Sequence, residues 1–162
     1  MKTEAIVLSI QKYKDTSFIV HLYTRETGRI QCLLYGKQKF SFFSPLSIVE
    51  ITTSNGHNKP LDSIKTVDLV YIPIRLKTDV RRQCIALFMA EALYKTLQHP
   101  MQDIPVYERL QYWIKQLDME DSIEYIPDMF LRNLSELLGY GGEPIEELSD
   151  MKTSELLEVI TI

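Results

Sequence analysis

The feature that most constrains the fold of this chain is a change in its hydrophobic pattern near residues 72–79. Before that point, short apolar segments rich in Ile, Val and Tyr are separated by turn residues, and Asn55-Gly56 is a strong hairpin signal. The apolar segments cover residues 4–11, 17–23, 29–35, 46–53 and 61–71. Five short strands within about 70 residues predict a small barrel or sandwich.

Beyond this point the apolar residues recur at helical spacing. The pattern predicts helices near residues 79–98, 105–117 and 127–138, and a short helix near 153–160. We therefore predict an α+β chain, with a β domain over residues 1–72 and an α-helical domain over residues 73–162.

The charge of the chain is divided unequally. Residues 1–82 hold 13 basic and 7 acidic residues, a net charge of +6, whereas residues 83–162 hold 5 and 15, a net charge of −10. The two sum to the overall −4. Because proteins that bind nucleic acid carry a positive excess where they bind, we expect any such surface on the β half.

No pattern in the sequence predicts catalysis or metal binding. The chain lacks a P-loop, a GxGxxG and a GxSxG motif, and its adjacent acidic pairs fall in segments predicted to be loops. Three histidines and two cysteines show no metal-ligand spacing. We expect no enzyme activity, no cofactor and no metal, with Cys32 and Cys84 as small buried hydrophobic residues and His21 on the barrel wall.

The same sequence features bear on where the protein works. No apolar stretch reaches the roughly 18 residues that a membrane span needs, and the N-terminus does not read as a secretory signal. Cysteines that are far apart and embedded in apolar segments are typical of a reducing compartment. We therefore expect a cytoplasmic protein without contact to a membrane.

Basic and aromatic residues alternate in the β half. They are Lys12 and Lys14 around Tyr13, Arg25 and Arg29 around a turn, and Lys37 and Lys39 in a loop with Tyr35, Phe40, Phe42 and Phe43. Cations that neutralise phosphates beside rings that stack on bases suit single-stranded nucleic acid. Alternatively, the phenylalanines fill the barrel and the lysines only keep it soluble. Composition leaves both interpretations open.

Four segments together resemble the RecO family of bacterial recombinational repair mediators, in its Bacteroidetes form. They are EAIVLSIQKYKDTSFIVHLYTRETGRIQCLLYGKQK at 4–39, PLSIVEI at 45–51, CIALFMAEALYKTL at 84–97 and FLRNLSELLGY at 130–140. Each segment is modest alone, and their order and spacing carry the resemblance. The family's longer C-terminal region, with a cysteine motif that some members use for zinc, is expected to be missing from the 23 residues after Gly139.

The resemblance implies a five-stranded OB-fold β-barrel followed by an α-helical domain, and a nucleoid-associated protein without enzymatic turnover. Such proteins bind single- and double-stranded DNA and anneal complementary strands. They bind the C-terminal tail of single-stranded-DNA-binding protein and work with RecR to load RecA. The residues that match the basic OB surface, or lie beside it, are the expected DNA contacts: Lys37, Lys39, Arg25, Arg29, Lys12, Lys14, Tyr35 and Phe40.

The tail of single-stranded-DNA-binding protein is acidic and ends in an apolar residue, so its site needs a cation beside an apolar groove. The cations of the predicted helices are the expected partner contacts: Arg81, Arg82, Lys95 and Arg132. Two alternatives stay open. The chain is an OB-type interaction module that binds single-stranded-DNA-binding protein without DNA, or it recognises RNA, because base stacking does not select the sugar.

Overall fold

Five strands form a closed barrel at the N-terminal end of the chain. The structure, a computed structural model, describes residues 1–36, 40–54, 61–97 and 102–139. The strands are β1 (Lys2–Lys14), β2 (Ser17–Thr24), β3 (Gly28–Tyr35), β4 (Ile48–Thr53) and β5 (Asp62–Tyr71). They pair in the order β1-β2-β3-β5-β4, with β4 returning to β1. This arrangement confirms the predicted OB-fold barrel.

Successive side chains of each strand point to opposite faces, so every second one is directed into the barrel. Val7, Val20, Leu22, Cys32, Val49 and Ile51 are among the buried residues that fill the interior. Gly28 closes the β2–β3 hairpin with φ of 76°, a left-handed conformation that glycine adopts at little cost. The barrel is closed by two parallel pairs between β3 and β5. The Asn55-Gly56 turn lies outside the described residues.

Three helices follow the barrel: α1 (Val80–Thr96), α2 (Ile104–Met119) and α3 (Ile126–Leu137). They confirm the three longer predicted helices to within two residues at each end, while the predicted helix near 153–160 lies outside the described residues. The carboxylate of Asp79 accepts hydrogen bonds from the first backbone N–H groups of α1, and Asp103 does the same for α2. No helix in the described residues is long and apolar enough to cross a membrane.

The helices pack on one outer side of the barrel. Ile6, Leu8, Tyr23, Leu46 and Ile48, which face away from the barrel interior, share one buried cluster with residues from all three helices. Because this cluster spans both parts, the boundary between residues 72 and 73 stays a prediction. The predicted burial of both cysteines is confirmed, and burial raises the pKa of the Cys32 thiol to about 12.

Candidate nucleic-acid interface

A β-bulge near the end of β1 places two consecutive side chains on the same face. Lys12 is opposite Phe18 and Lys14 is opposite Ser17, so Tyr13 is an extra residue with no partner across the strand pair. In a regular strand, consecutive side chains point to opposite faces. Here the ammonium of Lys14 lies 5.3 Å from the centre of the Tyr13 ring. The Tyr13 side chain is 52% exposed.

The same face continues across β2 to the end of β3. Ser17 is opposite Tyr35, whose side chain is 59% exposed. Since neighbouring strands lie about 4.8 Å apart, β1 and β3 are about 10 Å apart at this point. Tyr13, Lys14, Ser17 and Tyr35 therefore form one row across three strands, which we call the aromatic row.

The phenylalanines in the loop after β3 were predicted either to stack on bases or to fill the barrel, and the structure divides them between the surface and the barrel. Phe40–Phe43 form a short 3₁₀ helix in which Phe43 is buried in the barrel and Phe42 packs against the barrel core. Phe40 is 43% exposed, and its ring centre lies 4.9 Å from that of Phe18 at the mouth of the barrel. Two of the three rings therefore fill the barrel, and Phe40 remains at the surface near the aromatic row. Lys37 and Lys39 lie outside the described residues.

The open face ends where α1 meets the barrel. Moving along β2 away from the aromatic row, Ile19 is half-buried and His21 is buried, and the His21 ring lies edge-on to Tyr94 at 5.2 Å. Burial, and then the nearby charge of Arg29, lower the pKa of His21, so this imidazole is neutral at pH 7. Neither His21 Nδ1 nor the Oγ of Ser9 opposite it has a hydrogen-bond partner among the described residues.

Arg25 and Arg29 lie at the other end of the β2–β3 hairpin and contact the helices. Arg25 pairs with Glu108 on α2 at 3.0 Å. Arg29 donates to the backbone carbonyl of Tyr94 at 2.8 Å, and its guanidinium lies 4.0 Å from the centre of that ring. Arg29 and Tyr35 are six positions apart on an extended strand, which corresponds to about 20 Å. The predicted DNA contacts therefore fall into two separate groups, and the role of these two arginines in DNA binding stays a prediction.

The four cations predicted to bind a partner do not come together. Arg82 and Lys95 are 13 residues apart on α1, about 20 Å. Arg82 is 2% exposed and donates to Asp79 and to the carbonyl of Leu117. Its guanidinium therefore binds groups of the protein itself and does not face a partner. The other three cations lie at the surface, where Arg81 pairs with Glu124, Lys95 pairs with Glu91 and Arg132 is exposed on α3.

An apolar pocket of about 280 Å³ lies between the barrel, the segment before α1, and α1 itself. Its lining is mostly apolar, with Lys77 at its edge, and consists of Ser44, Pro45, Pro73, Leu76, Lys77, Gln83, Ala86 and Leu87. Lys77 is exposed and makes no ion pair with any described residue. Sequence reasoning missed this site because its lining comes from three separate segments. It noted Tyr13 between Lys12 and Lys14 but did not place it among the expected DNA contacts, because a bulge is visible only in the strand register.

Comparisons with known proteins point to one family. A family model for the N-terminal part of recombination protein O matches residues 1–73. The DNA repair protein RecO of Porphyromonas gingivalis is 35% identical over 127 residues, which is 74% of this chain and 52% of that protein. RecO of Phocaeicola vulgatus is 34% identical over 145 residues, 85% of this chain and 60% of that protein. RecO of Christiangramia forsetii is 27% identical over 165 residues, 98% of this chain and 68% of that protein. The chain thus spans about half to two thirds of the length of these relatives.

Proposed function

The chain belongs to the RecO family of DNA repair proteins, and we propose that it is a non-enzymatic, DNA-binding recombination mediator of the cytoplasm. In this role it binds single- and double-stranded DNA, anneals complementary strands and helps to load recombinase on coated single strands. The observation that carries the DNA-binding part is the aromatic row, in which Lys14 lies against the exposed Tyr13 on β1 and the exposed Tyr35 lies two strands away, on a barrel face that the helices leave open.

The chemistry of the aromatic row fits a nucleic-acid chain. The ammonium of Lys14 attracts a phosphate, while the rings of Tyr13 and Tyr35 offer flat apolar surfaces to bases. The described helical residues 83–97 and 102–139 hold 9 acidic and 4 basic residues and repel DNA, which supports binding at the end of the barrel that lies away from the helices.

Charge reversal at two ends of the same strand tests this site. We expect Lys14→Glu to weaken binding of a fluorescein-labelled oligothymidine about tenfold in fluorescence anisotropy at low salt, because a phosphate contact becomes a repulsion. Lys2→Glu is the matched control, since Lys2 lies at the opposite end of β1 and already pairs with Glu50 at 2.9 Å. Equal losses in the two variants would reject the aromatic row as the DNA site.

We propose in addition that the chain binds the C-terminal tail of single-stranded-DNA-binding protein in the apolar pocket. The acidic tail with its apolar end requires a cation beside an apolar surface, and Lys77 next to Leu76 and Leu87 provides that combination. The affinity of variants for a labelled tail peptide distinguishes this site from the cations that were predicted from the sequence. We expect Lys77→Glu to reduce peptide binding and Arg132→Glu to leave it unchanged, and the reverse result would favour α3.

Strand annealing separates the mediator from an interaction module that does not touch DNA. We expect the protein to accelerate annealing of complementary oligonucleotides, both naked and coated with single-stranded-DNA-binding protein, and adding RecR and RecA to the coated strand then tests loading. Peptide binding without any DNA binding at low salt would favour the interaction module. Parallel titrations with DNA and RNA of the same sequence test whether the sugar matters.

A further inference from the structure

We propose that Tyr13 and Tyr35 form a stacking site for unpaired bases, so that the aromatic row binds single strands in preference to duplex. This inference rests on the proposed DNA binding and adds which state of the DNA the row selects. Lys14 belongs to the same row, but its charge attracts the phosphates of either state. The two tyrosines and the lysine should therefore contribute to different properties of binding.

The bulge in β1 creates the stacking site. Without the extra residue, Tyr13 and Lys14 would point to opposite faces of the barrel wall, and only one of them would face Tyr35. With it, the two side chains lie side by side, as the 5.3 Å distance between the Lys14 ammonium and the Tyr13 ring centre records. Bulges commonly redirect a side chain in this way beside functional sites.

Both rings are available to a ligand. Tyr13 and Tyr35 are each more than half exposed, although large aromatic side chains are usually buried to a greater extent. They are held on paired strands, since Tyr35 is opposite Ser17 and Ser17 is opposite Lys14. Two exposed rings on strands whose backbones are about 10 Å apart, with a lysine ammonium beside one of them, suit a nucleotide chain whose bases have separated.

Duplex DNA cannot use these rings. In a duplex, each base face is covered by the next base pair, so a ring on the protein surface reaches a base face only at an end or where the helix opens. The phosphates remain accessible in both states, and Lys14 attracts them in both. Loss of a tyrosine should therefore lower affinity for single strands alone, while loss of the lysine should lower affinity for both.

The test compares Tyr13→Ala with Lys14→Gln, on an oligothymidine and on a blunt duplex, across a range of salt concentrations. We expect Tyr13→Ala to weaken single-strand binding by about five- to 150-fold, which is the usual effect of losing one stacked base. The salt dependence of single-strand binding by Tyr13→Ala should equal that of the wild type, because no phosphate contact is lost. Lys14→Gln should weaken binding of both forms and reduce the salt slope for the single strand by about 0.7.

Two further variants complete the test. Tyr13→Phe should bind like the wild type, since it keeps the ring. Tyr112→Ala, which removes an exposed tyrosine from α2, should have no effect. If Tyr13→Ala binds single strands as tightly as the wild type, or loses both forms equally, the stacking site is rejected. If the wild type itself binds neither form at low salt, the proposed DNA binding has failed, which is a distinguishable result.

Discussion

Arg82 shows how far the environment of one residue decides what its charge can do. The side chain is only 2% exposed, and it donates to the carboxylate of Asp79 and to the carbonyl of Leu117. A buried guanidinium is tolerated only when such acceptors are present. Arg82 therefore joins the start of α1 to the end of α2, whereas the adjacent Arg81 lies at the surface.

Replacing the two neighbouring arginines should have very different effects on stability. We expect Arg82→Leu to lower the free energy of unfolding by about 2–4 kcal/mol, because it leaves the Leu117 carbonyl buried without its donor and removes the partner of Asp79. Arg81→Leu, which breaks only an exposed ion pair with Glu124, should change it by less than about 0.5 kcal/mol. Urea unfolding of both variants measures the difference, and equal losses would contradict the role given to Arg82.

His21 should make stability depend on pH. Burial and the charge of Arg29 lower the pKa of His21 in the folded state, so on acidification the unfolded chain takes up this proton first. The wild type should therefore lose stability relative to His21→Gln as the pH falls below about 6.5, the ordinary histidine pKa. Melting temperatures of both proteins from pH 8 to pH 5 test this. A difference that stays constant over the range would show that His21 does not titrate as described.

At the scale of elements, hydrogen bonds to one carboxylate hold α2 against β1. The hydroxyl of Tyr107 and the side-chain amide of Gln111 donate to the same oxygen of Glu4, at 2.9 and 2.6 Å. Tyr107 is fully buried, and burial together with the Glu4 charge raises the pKa of its phenol, so it remains a donor. The helix is thus fixed to the barrel by polar contacts as well as by the shared apolar cluster.

We expect Tyr107→Phe to lower the free energy of unfolding by about 1–2 kcal/mol, because Glu4 keeps only one of its two donors from α2. Tyr112→Phe is the matched control on the same helix, since its exposed hydroxyl has no protein partner among the described residues. Urea unfolding again gives the comparison, with the dependence on urea unchanged in both variants. If Tyr107→Phe is as stable as Tyr112→Phe, the hydrogen bond from Tyr107 to Glu4 does not help to hold α2 against β1.

Local sequence patterns explain which elements form but not which elements meet. The β2–β3 hairpin was predictable because its strands are short apolar segments and Gly28 supplies the turn between them, and each of the three helices has its own apolar periodicity. The contacts of Arg25 and Arg29 were not predictable, because Arg25 pairs with a residue 83 positions later and Arg29 bonds to one 65 positions later. Neither partner is visible in a local pattern.

At the scale of the whole molecule, the proposed DNA site and the helices lie at opposite ends of the β2–β3 hairpin. The end near Arg25 and Arg29 is covered by α1 and α2, while the end near Tyr35 is open. The charge of the described helices acts in the same direction, since residues 83–97 and 102–139 hold 9 acidic and 4 basic residues, which repel DNA from the covered end. Under the two proposals, the apolar pocket beside α1 binds a protein partner at a place separate from the DNA on the barrel.

The location of DNA on the barrel is the central claim, and photochemical crosslinking tests it most directly. An oligonucleotide that carries 5-iodouracil forms covalent bonds with aromatic side chains that lie against its bases, and mass spectrometry of the digested complex identifies them. We predict crosslinks to Tyr13, Tyr35 and Phe40, the exposed rings at the open end of the barrel. Crosslinks confined to exposed rings of the helices, such as Tyr112 and Tyr125, would contradict the account.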